Sequence, residues 1–371
     1  MDREASCLKK KEAIENFQFT GKLESVEPYG NGHINDTFLL VFSHPDMENH
    51  KVIMQRMNDD IFKKPEEVME NILGVTSYLK KKIVENGGNP SRETLNVIQA
   101  KDGKAFYKDS IGSYWRAYFF IEETTCFEQV KTPQDFYESA WAFGHFQMLL
   151  SDYPADTLHE TIAGFHDTEA RYRTFEKAVE ADVCNRAAEV QKEIQFVRDR
   201  VEDTKVLFKA HAEGRLPLRV THNDTKLNNI MFDNYTKKAI CVIDLDTVMP
   251  GFAVNDFGDS IRFGASTAVE DEQDLSKVWC DMELYECYVE GFLKGCEGKL
   301  LPSEAALLPM GAKVMTFECG MRFLTDYLEG DHYFKIHREG HNLDRSRTQF
   351  KLVEDMEAKW DTMTEIVNKY V

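Results

Sequence analysis

Two hydrophobic patterns divide the chain, and the first is typical of strands. Residues 21–44 and 50–58 contain β-type apolar runs with turn residues between the first two, which predicts a hairpin followed by a further strand. Residues 63–86 place apolar side chains at helical spacing, with Pro65 suited to the first turn. Residues 93–124 predict three more strands. The first third of the chain is therefore predicted to contain strands and one long helix.

The second pattern begins near residue 127 and is mainly helical. Residues 133–153 form an amphipathic helical pattern, and residues 167–214 read as one long helical stretch that ends at Gly214. Two short strands follow, and the remainder is again helical. We expect an α+β fold with two lobes: a small β-rich N-lobe over 1–124 and a larger α-helical C-lobe over 125–371.

Composition narrows the class of protein. The chain has 371 residues, 42% hydrophobic residues and a net charge of −19. These values predict a globular protein with a substantial core and disfavour nucleic acid as a partner, because an acidic surface repels phosphates. Eight scattered cysteines with no C-x-x-C pair, a charged N-terminus and no long apolar run predict a cytoplasmic protein without a membrane segment.

Candidate chemistry is concentrated in the stretch VTHNDTKLNNIMFD, residues 220–233. It is followed by a second β-type run and then by IDLD, so Asp224, Asn229 and Asp244 are expected to lie close together. Phosphoryl transfer uses one Asp to orient the acceptor hydroxyl, and an Asn and a second Asp to hold Mg²⁺ on the nucleotide phosphates. The alternative is an Asx-rich turn whose side chains bond only to backbone groups.

The motifs THNDTKLNNIMF and VIDLDTVMPG resemble those of the aminoglycoside phosphotransferase/choline kinase group, which has a protein-kinase-like fold. Within that group the chain is similar to N-acetylhexosamine 1-kinases, on the segments YGNGHINDTF, FKKPEEVMENI and GFHDTEARY as well. The resemblance implies a kinase that uses ATP and Mg²⁺ to phosphorylate the anomeric hydroxyl of GlcNAc or GalNAc. The partners implied are ATP and a small-molecule sugar.

The same resemblance implies roles for the residues of this stretch. Asp224 corresponds to the catalytic base, and Asn229 and Asp244 correspond to the metal ligands. Asp246 either supports the metal and its waters or is a solvated turn residue. His222 is expected to brace the loop, and no phospho-enzyme is needed.

Bracing roles are also expected outside this stretch. Asp256 and Asp259 correspond to structural aspartates that hold the catalytic loop. The segment AGFHDTEARY is predicted to begin a helix with Asp167 or Thr168 as its N-cap, a structural role. Arg116 lies on a strand, and a surface position is predicted for it.

Polar and aromatic residues are also expected to contact the sugar. Asn and Asp side chains satisfy hydroxyl donors and acceptors together, an arginine presents a rigid fork of donors, and an aromatic ring packs on an apolar sugar face. The residues that the resemblance assigns to the sugar are His33, Asn35, Asp36, Phe263, Arg322 and Tyr333.

The nucleotide site departs from that of the protein kinases. The strand KVIMQRMN should carry a lysine, and Gln55 fills that position with Arg56 pointing to the opposite face. The glycines of GNGHINDT permit a tight turn near phosphates, and the backbone near Glu122 is a candidate for purine binding. The predicted nucleotide-binding residues are Gly30, Gly32, Gln55 and Glu122.

Three other functions stay open on the sequence. The first is another small-molecule kinase of the same group, acting on an aminoglycoside, choline or homoserine. The second is a sugar-binding pseudokinase, and the third is a metal-dependent hydrolase built on the Asp cluster. The sequence decides neither the preferred N-acetylhexosamine nor ATP over GTP.

Overall fold

The protein was analysed as a computed structural model, which describes residues 3–30, 34–45 and 48–371. The predicted Gly32 and His33 lie outside the described residues. The helices are α1 Arg3–Asn16, α2 Pro65–Glu85, α3 Pro90–Glu93, α4 Pro133–Leu149, α5 Thr168–Ala181, α6 Gln191–Asp199, α7 Val206–Ala212, α8 Ala253–Gly264, α9 Met282–Cys296, α10 Pro302–Ala305, α11 Leu308–Glu329, α12 His341–Ala358 and α13 Trp360–Tyr370. The strands are β1 Lys22–Pro28, β2 Asp36–Ser43, β3 His50–Arg56, β4 Val97–Ile98, β5 Tyr107–Lys108, β6 Tyr114–Phe119, β7 Thr124–Thr125, β8 Arg219–Thr221, β9 Ile230–Asp233, β10 Ala239–Val242 and β11 Met249–Gly251.

The chain divides into two compact units, and the first comprises Met1–Thr125, Thr157–Ile162 and Met231–Met249. Its main sheet has the order β1-β2-β3-β6-β4, with β5 also paired to β6. The predicted hairpin is confirmed as the antiparallel pair β1–β2. Alternate residues of the central strands face α1, where Phe17, Val52 and Trp115 belong to one buried cluster. Burial of this face stabilises the sheet, because apolar side chains of several strands are removed from water together.

The second unit comprises Cys126–Asp156, Ala163–Ile230 and Pro250–Val371 and is mainly helical. One buried cluster joins α5, α6, α11 and α12 around Phe175, Ile194 and Phe317. Helices α8 and α11 pack closely where Gly258 faces Gly311. A Cβ atom on Gly258 would collide with the Gly311 carbonyl, so the glycine allows this close contact. This contact matters for the site, since both helices carry candidate functional residues.

The long helical stretch predicted over residues 167–214 is wrong as one element, because it is broken into α5, α6 and α7. Helix α5 ends at Ala181, and the next residue, Asp182, has a left-handed backbone with φ 36°. The Asp182 carboxylate accepts from Arg186 N at 2.8 Å and from Ala187 N at 2.9 Å. These local bonds give the backbone an alternative to the helix and stabilise the break.

The predicted α+β class is confirmed: a β-sheet region comes first along the chain and a helical part follows. No helix within the described ranges is both long enough and apolar enough to cross a membrane. The assignment of residues 1–124 to nucleotide binding and of 125–371 to catalysis and substrate binding stays a prediction.

Candidate active site

The loop between β8 and β9 contains the stretch that the sequence singled out, and buried carboxylates hold it. Asp256, on α8, accepts from His222 N at 2.8 Å and from Asn223 N at 2.7 Å. Gln147 Nε2 donates to the same carboxylate at 3.1 Å. Burial raises the pKa of Asp256, and the hydrogen bonds from the loop partly offset that rise. The predicted bracing role of Asp256 is confirmed.

Asp259 holds the next residues of the loop, also as predicted. Its Oδ2 accepts from Thr225 N at 3.0 Å, while Oδ1 accepts from Arg262 at 2.9 Å. Burial alone would raise the pKa of Asp259, but the charges of Arg262 and Lys226 and the hydrogen bonds from Arg262 together outweigh it, so the net shift is downward. Because α8 supplies both aspartates one turn apart, a single helix fixes the loop.

His222 is fully buried and belongs to the supporting structure. Its ring packs edge-on against Phe143 and Phe146, at centroid distances of 5.5 and 6.2 Å. Its Nδ1 lies 3.3 Å from Asp224 N. The predicted bracing role is therefore confirmed by the position of the ring.

Asp224 is half-buried and has two polar neighbours from its own loop. Lys226 Nζ lies 2.7 Å from Asp224 Oδ1. Asn229 Nδ2 donates to the Asp224 carbonyl at 2.8 Å and to Oδ2 at 3.3 Å. This bonding turns the Asn229 amide nitrogen toward Asp224, which leaves the amide oxygen as the atom available to a hard cation.

Lys226 is a candidate functional residue that the sequence analysis did not select. Burial on its own lowers the pKa of the Lys226 ammonium, but the Asp224 and Asp259 carboxylates outweigh it and the net shift is upward. The lysine therefore stays charged beside the candidate base. The signal was present in the sequence, as a lysine two positions after the aspartate in HNDTK.

In the first unit, Gln55 is paired with a cation from the neighbouring strand. Gln55 and Arg116 are opposite each other in the register of β3 and β6. Arg116 Nε donates to Gln55 Oε1 at 2.9 Å, and Gln55 Nε2 donates to Thr37 Oγ1 at 3.0 Å. The surface position predicted for Arg116 is wrong, since its side chain is 2% exposed. A strand buried on both faces has no solvent side on which to place it.

Arg116 forms a buried ion pair with Asp246. Asp246 Oδ2 accepts from Asn35 Nδ2 at 2.8 Å, so protein donors engage both carboxylate oxygens. Burial alone lowers the pKa of Arg116, but the charge and hydrogen bond of Asp246 together with the charges of Tyr118 and Asp244 outweigh it, so the net shift is upward. Asp246 is 4% exposed and is not the solvated turn residue that the sequence left open.

Asp244 precedes the short helical turn Leu245–Thr247 and is exposed. Its backbone is left-handed, with φ 58°, a conformation that is uncommon outside glycine. Such strain is characteristic of functional loops. The exposed side chain of Asp244 is a carboxylate, a type of ligand that Mg²⁺ prefers.

The predicted sugar contacts near the first hairpin have protein partners. Asn35 Oδ1 accepts from Asn58 N at 3.0 Å, in addition to the bond from its amide nitrogen to Asp246. Asp36 is exposed and pairs with Arg56 at 2.6 Å. Gly30 has a positive φ of 75° and open space where a side chain would lie.

The proposed purine-binding segment also makes hydrogen bonds within the protein. The Glu122 carbonyl accepts from Arg92 Nη2 at 3.1 Å, and the Glu122 carboxylate pairs with Lys51 at 3.0 Å. The Glu123 carbonyl accepts from Asn234 N at 2.9 Å. The carbonyl oxygens of Glu122 and Glu123 are thus hydrogen-bonded to protein, and the role of this backbone in purine binding stays a prediction.

Two of the predicted sugar contacts lie together on the second unit. Arg322 Nη2 lies 3.4 Å from Tyr333 Oη, and its guanidinium lies 5.6 Å from the centre of the Tyr333 ring. Tyr333 is 70% exposed. Phe263 is partly exposed and lines a cavity of about 560 Å³ within the same unit.

His166 connects α11 to the catalytic loop, a role that the sequence analysis did not foresee. Its ring nitrogens lie 3.0 Å from Glu318 Oε1 and 3.4 Å from Asn223 O. The predicted capping role of this segment is confirmed, because Asp167 accepts from Ala170 N at 2.7 Å. Glu318 and Arg322 lie one turn apart on α11, so the helix with the predicted sugar contact is tied to the loop with the candidate base.

Solved structures of known kinases share this fold. An aminoglycoside phosphotransferase from Alicyclobacillus acidocaldarius matches with a TM-score of 0.63 and 11% identity, over 97% of this chain and 96% of that one. A microcompartment-associated aminopropanol kinase matches with a TM-score of 0.58 and 13% identity, over 97% and 98%. An amicoumacin kinase, solved with AMP-PNP, Ca²⁺ and its ligand, matches with a TM-score of 0.53 and 12% identity, over 99% and 94%. Likeness at these identities shows the fold alone.

A family model extends the comparison to the sequence itself. The model described as "Phosphotransferase enzyme family" (APH) matches residues 25–278, which include the catalytic loop, both residues of the Arg116–Asp246 pair and the bracing helix α8. The match covers more than half of the chain. The protein therefore belongs to the APH phosphotransferase enzyme family and is a small-molecule phosphotransferase.

Proposed function

We propose that the protein transfers the γ-phosphoryl group of ATP to the anomeric hydroxyl of an N-acetylhexosamine, GlcNAc or GalNAc. The observation that carries this choice of acceptor is Arg322, which lies against the exposed Tyr333 ring and has no carboxylate oxygen within 4.0 Å among the described residues. An unpaired cation repels an ammonium acceptor such as aminopropanol or choline. It suits an uncharged acceptor that is rich in oxygen.

In this proposal Asp224 accepts a hydrogen bond from the anomeric hydroxyl and positions its oxygen for in-line attack. Lys226, 2.7 Å away, keeps a positive charge beside the oxygens at which negative charge develops. Asn229 and Asp244 are proposed as the residues that hold Mg²⁺, because an amide oxygen and a carboxylate suit that ion. When bound, the ion neutralises charge on the nucleotide phosphates.

The remaining contacts are proposed on the resemblance. The sugar contacts are His33, Asn35, Asp36, Phe263, Arg322 and Tyr333, and the nucleotide contacts are Gly30, Gly32, Gln55 and Glu122. The position of Arg116 beside Gln55 suggests how a glutamine serves where a lysine is expected: the Arg116 hydrogen bond fixes the Gln55 amide, and its charge lies within the same polar group.

The test is an assay of ADP release with Mg-ATP against GlcNAc, GalNAc, glucose, galactose, choline, homoserine and kanamycin. We expect turnover on the two N-acetylhexosamines, with an anomeric phosphate in the phosphorus NMR spectrum of the product. Turnover restricted to choline, homoserine or kanamycin would contradict the proposed acceptor and leave the role of Asp224 intact.

Asp224→Asn tests the chemistry separately from the choice of acceptor. The variant cannot accept the proton, and because one general base contributes roughly 10²- to 10⁴-fold, kcat should fall by about that factor. ATP affinity, measured by calorimetry, should be retained. Near-normal turnover in this variant would exclude Asp224 as the base.

A further inference from the structure

Two arginines differ from the others in the way they are paired. Among the arginines from Arg56 to Arg347, only Arg171 and Arg322 lack an Asp or Glu oxygen within 4.0 Å, counted over the described residues. The chain has a net charge of −19, so carboxylates are abundant. Partly buried arginines are normally paired. The absence of a carboxylate partner at Arg171 and Arg322 therefore indicates that their guanidinium donors are available to a ligand.

The two unpaired arginines lie on helices that pack against each other, Arg171 on α5 and Arg322 on α11. Burial lowers the pKa of Arg171, and the positive charge of Arg322 lowers it further. Arg171 Nη2 donates to the Phe165 carbonyl at 3.1 Å, while its buried Nε has no partner. An unsatisfied buried donor is destabilising, so the arrangement is unfavourable without a ligand.

Glu318, on α11, offsets this repulsion only in part. Glu318 faces Arg171, but its oxygens bind Thr168 Oγ1 at 2.6 Å and the His166 ring at 3.0 Å. The same His166 ring reaches the Asn223 carbonyl of the catalytic loop. Glu318 therefore links the helix of Arg322 to residues that hold the loop, while among the described residues the buried Arg171 Nε has no hydrogen-bond partner.

We propose that Arg171 is a second specificity-determining residue, which together with Arg322 binds the amide carbonyl of the acceptor and excludes ammonium-bearing acceptors. This inference rests on the proposed function and extends it to a residue outside the predicted sugar contacts. A guanidinium fork matches a planar oxygen acceptor in geometry. Two adjacent cations repel a third, so the pair discriminates by repulsion as well as by attraction.

The experiment compares two acceptors that differ only at one carbon, GlcNAc with its amide and glucosamine with its ammonium, at pH 6.5. Arg171→Met should lower kcat/KM for GlcNAc about tenfold or more, mainly through KM, because a binding contact is lost. It should also raise the relative use of glucosamine. Arg171→Lys keeps the charge and loses the fork, so it should weaken GlcNAc binding and still exclude glucosamine.

Arg173→Met is the matched control, because Arg173 lies on the same helix, is exposed and pairs with Glu169 at 2.9 Å. It should leave the ratio of the two acceptors unchanged. A purely structural role for Arg171 would lower both activities together and keep the ratio. If Arg171→Met shows no cooperative thermal transition, the ratio measured with Arg171→Lys decides.

The outcomes separate this inference from the proposed function. Normal GlcNAc turnover with an unchanged acceptor ratio in the Arg171 variants would overturn the inference alone. A wild-type enzyme that prefers glucosamine or choline would overturn both. A wild-type enzyme that uses a different uncharged acceptor, and loses its discrimination against the matching amine in Arg171→Met, would overturn the proposed substrate and support the arginine pair.

Discussion

The buried pair Arg116–Asp246 offers a quantitative test of the first unit. Arg116→Met removes the hydrogen bonds that Asp246 Oδ1 and Gln55 Oε1 accept from the guanidinium. The Asp246 carboxylate then keeps the hydrogen bond from Asn35. Breaking a buried ion pair from one side costs about 3–5 kcal/mol, because a charge stays buried without compensation. At about 2–4 °C per kcal/mol for a unit of this size, the melting temperature should fall by about 10 °C.

The pair also predicts the outcome of a double-mutant cycle. Asp246→Leu should lower the free energy of unfolding about as much as Arg116→Met. In the double variant no unpaired charge remains, so its loss of free energy should be smaller than the sum of the two single losses by at least about 3 kcal/mol. Thermal unfolding followed by circular dichroism measures all four proteins. Arg56→Met is the matched control, because Arg56 pairs with Asp36 at the surface and an exposed pair contributes under about 1 kcal/mol.

Two results would refute this reasoning. The first is a loss below about 1 kcal/mol in Arg116→Met, which would mean that water reaches the Asp246 carboxylate. The second is strict additivity in the cycle, which would mean that the two side chains do not interact. Both follow from the same four melting curves.

Two further predictions concern charged residues elsewhere. Lys226→Met should lower kcat about tenfold to a hundredfold, because a charge-assisted contact to Asp224 is lost. Lys226→Arg should retain part of the wild-type kcat. Steady-state rates of Lys226→Met within twofold of wild type would contradict this prediction. Glu12 has its pKa lowered from 4.5 to about 2, mainly by the Lys9 hydrogen bond and also by Ser110 and Tyr107. A carboxyl whose pKa is lowered by folding stabilises the folded state at pH values above its pKa in the unfolded chain. The difference in free energy of unfolding between wild type and Glu12→Gln, measured with urea, should therefore be complete above pH 4.5 and vanish toward pH 2. A difference that stays constant with pH would contradict this prediction.

Local sequence was sufficient for the hairpin, for α2 and for the catalytic loop. The hairpin follows from apolar runs on either side of turn residues, and α2 from apolar spacing that starts at Pro65. The N-cap at Asp167 was predicted from a short-range signal, whereas the bracing by Asp256 and Asp259 was implied by the family resemblance. In each case the residues that decide the structure lie close together in the chain or in a known order.

Tertiary structure alone decided the position of Arg116. Alternation along β6 places Trp115 and Arg116 on opposite faces, and a lone strand would expose the arginine. In the folded unit β6 lies between β3 and β4, and Arg116 finds Asp246 far along the chain. Local periodicity carries no information about a partner that distant.

The same limit applies to the arginine pair of the second unit. Within its own segment Arg171 is an ordinary helical residue, and Arg322 is one polar position on a helix that is mostly buried. Only the packing of α5 against α11 brings the two guanidiniums together and commits Glu318 to His166 and Thr168. The sequence by itself determined the family motifs, the hairpin, α2 and the order of the candidate site residues. The charged surroundings of Arg116, Arg171 and Arg322 were decided by the tertiary structure. Electrostatic interactions depend on distances in space, and the sequence gives only separations along the chain.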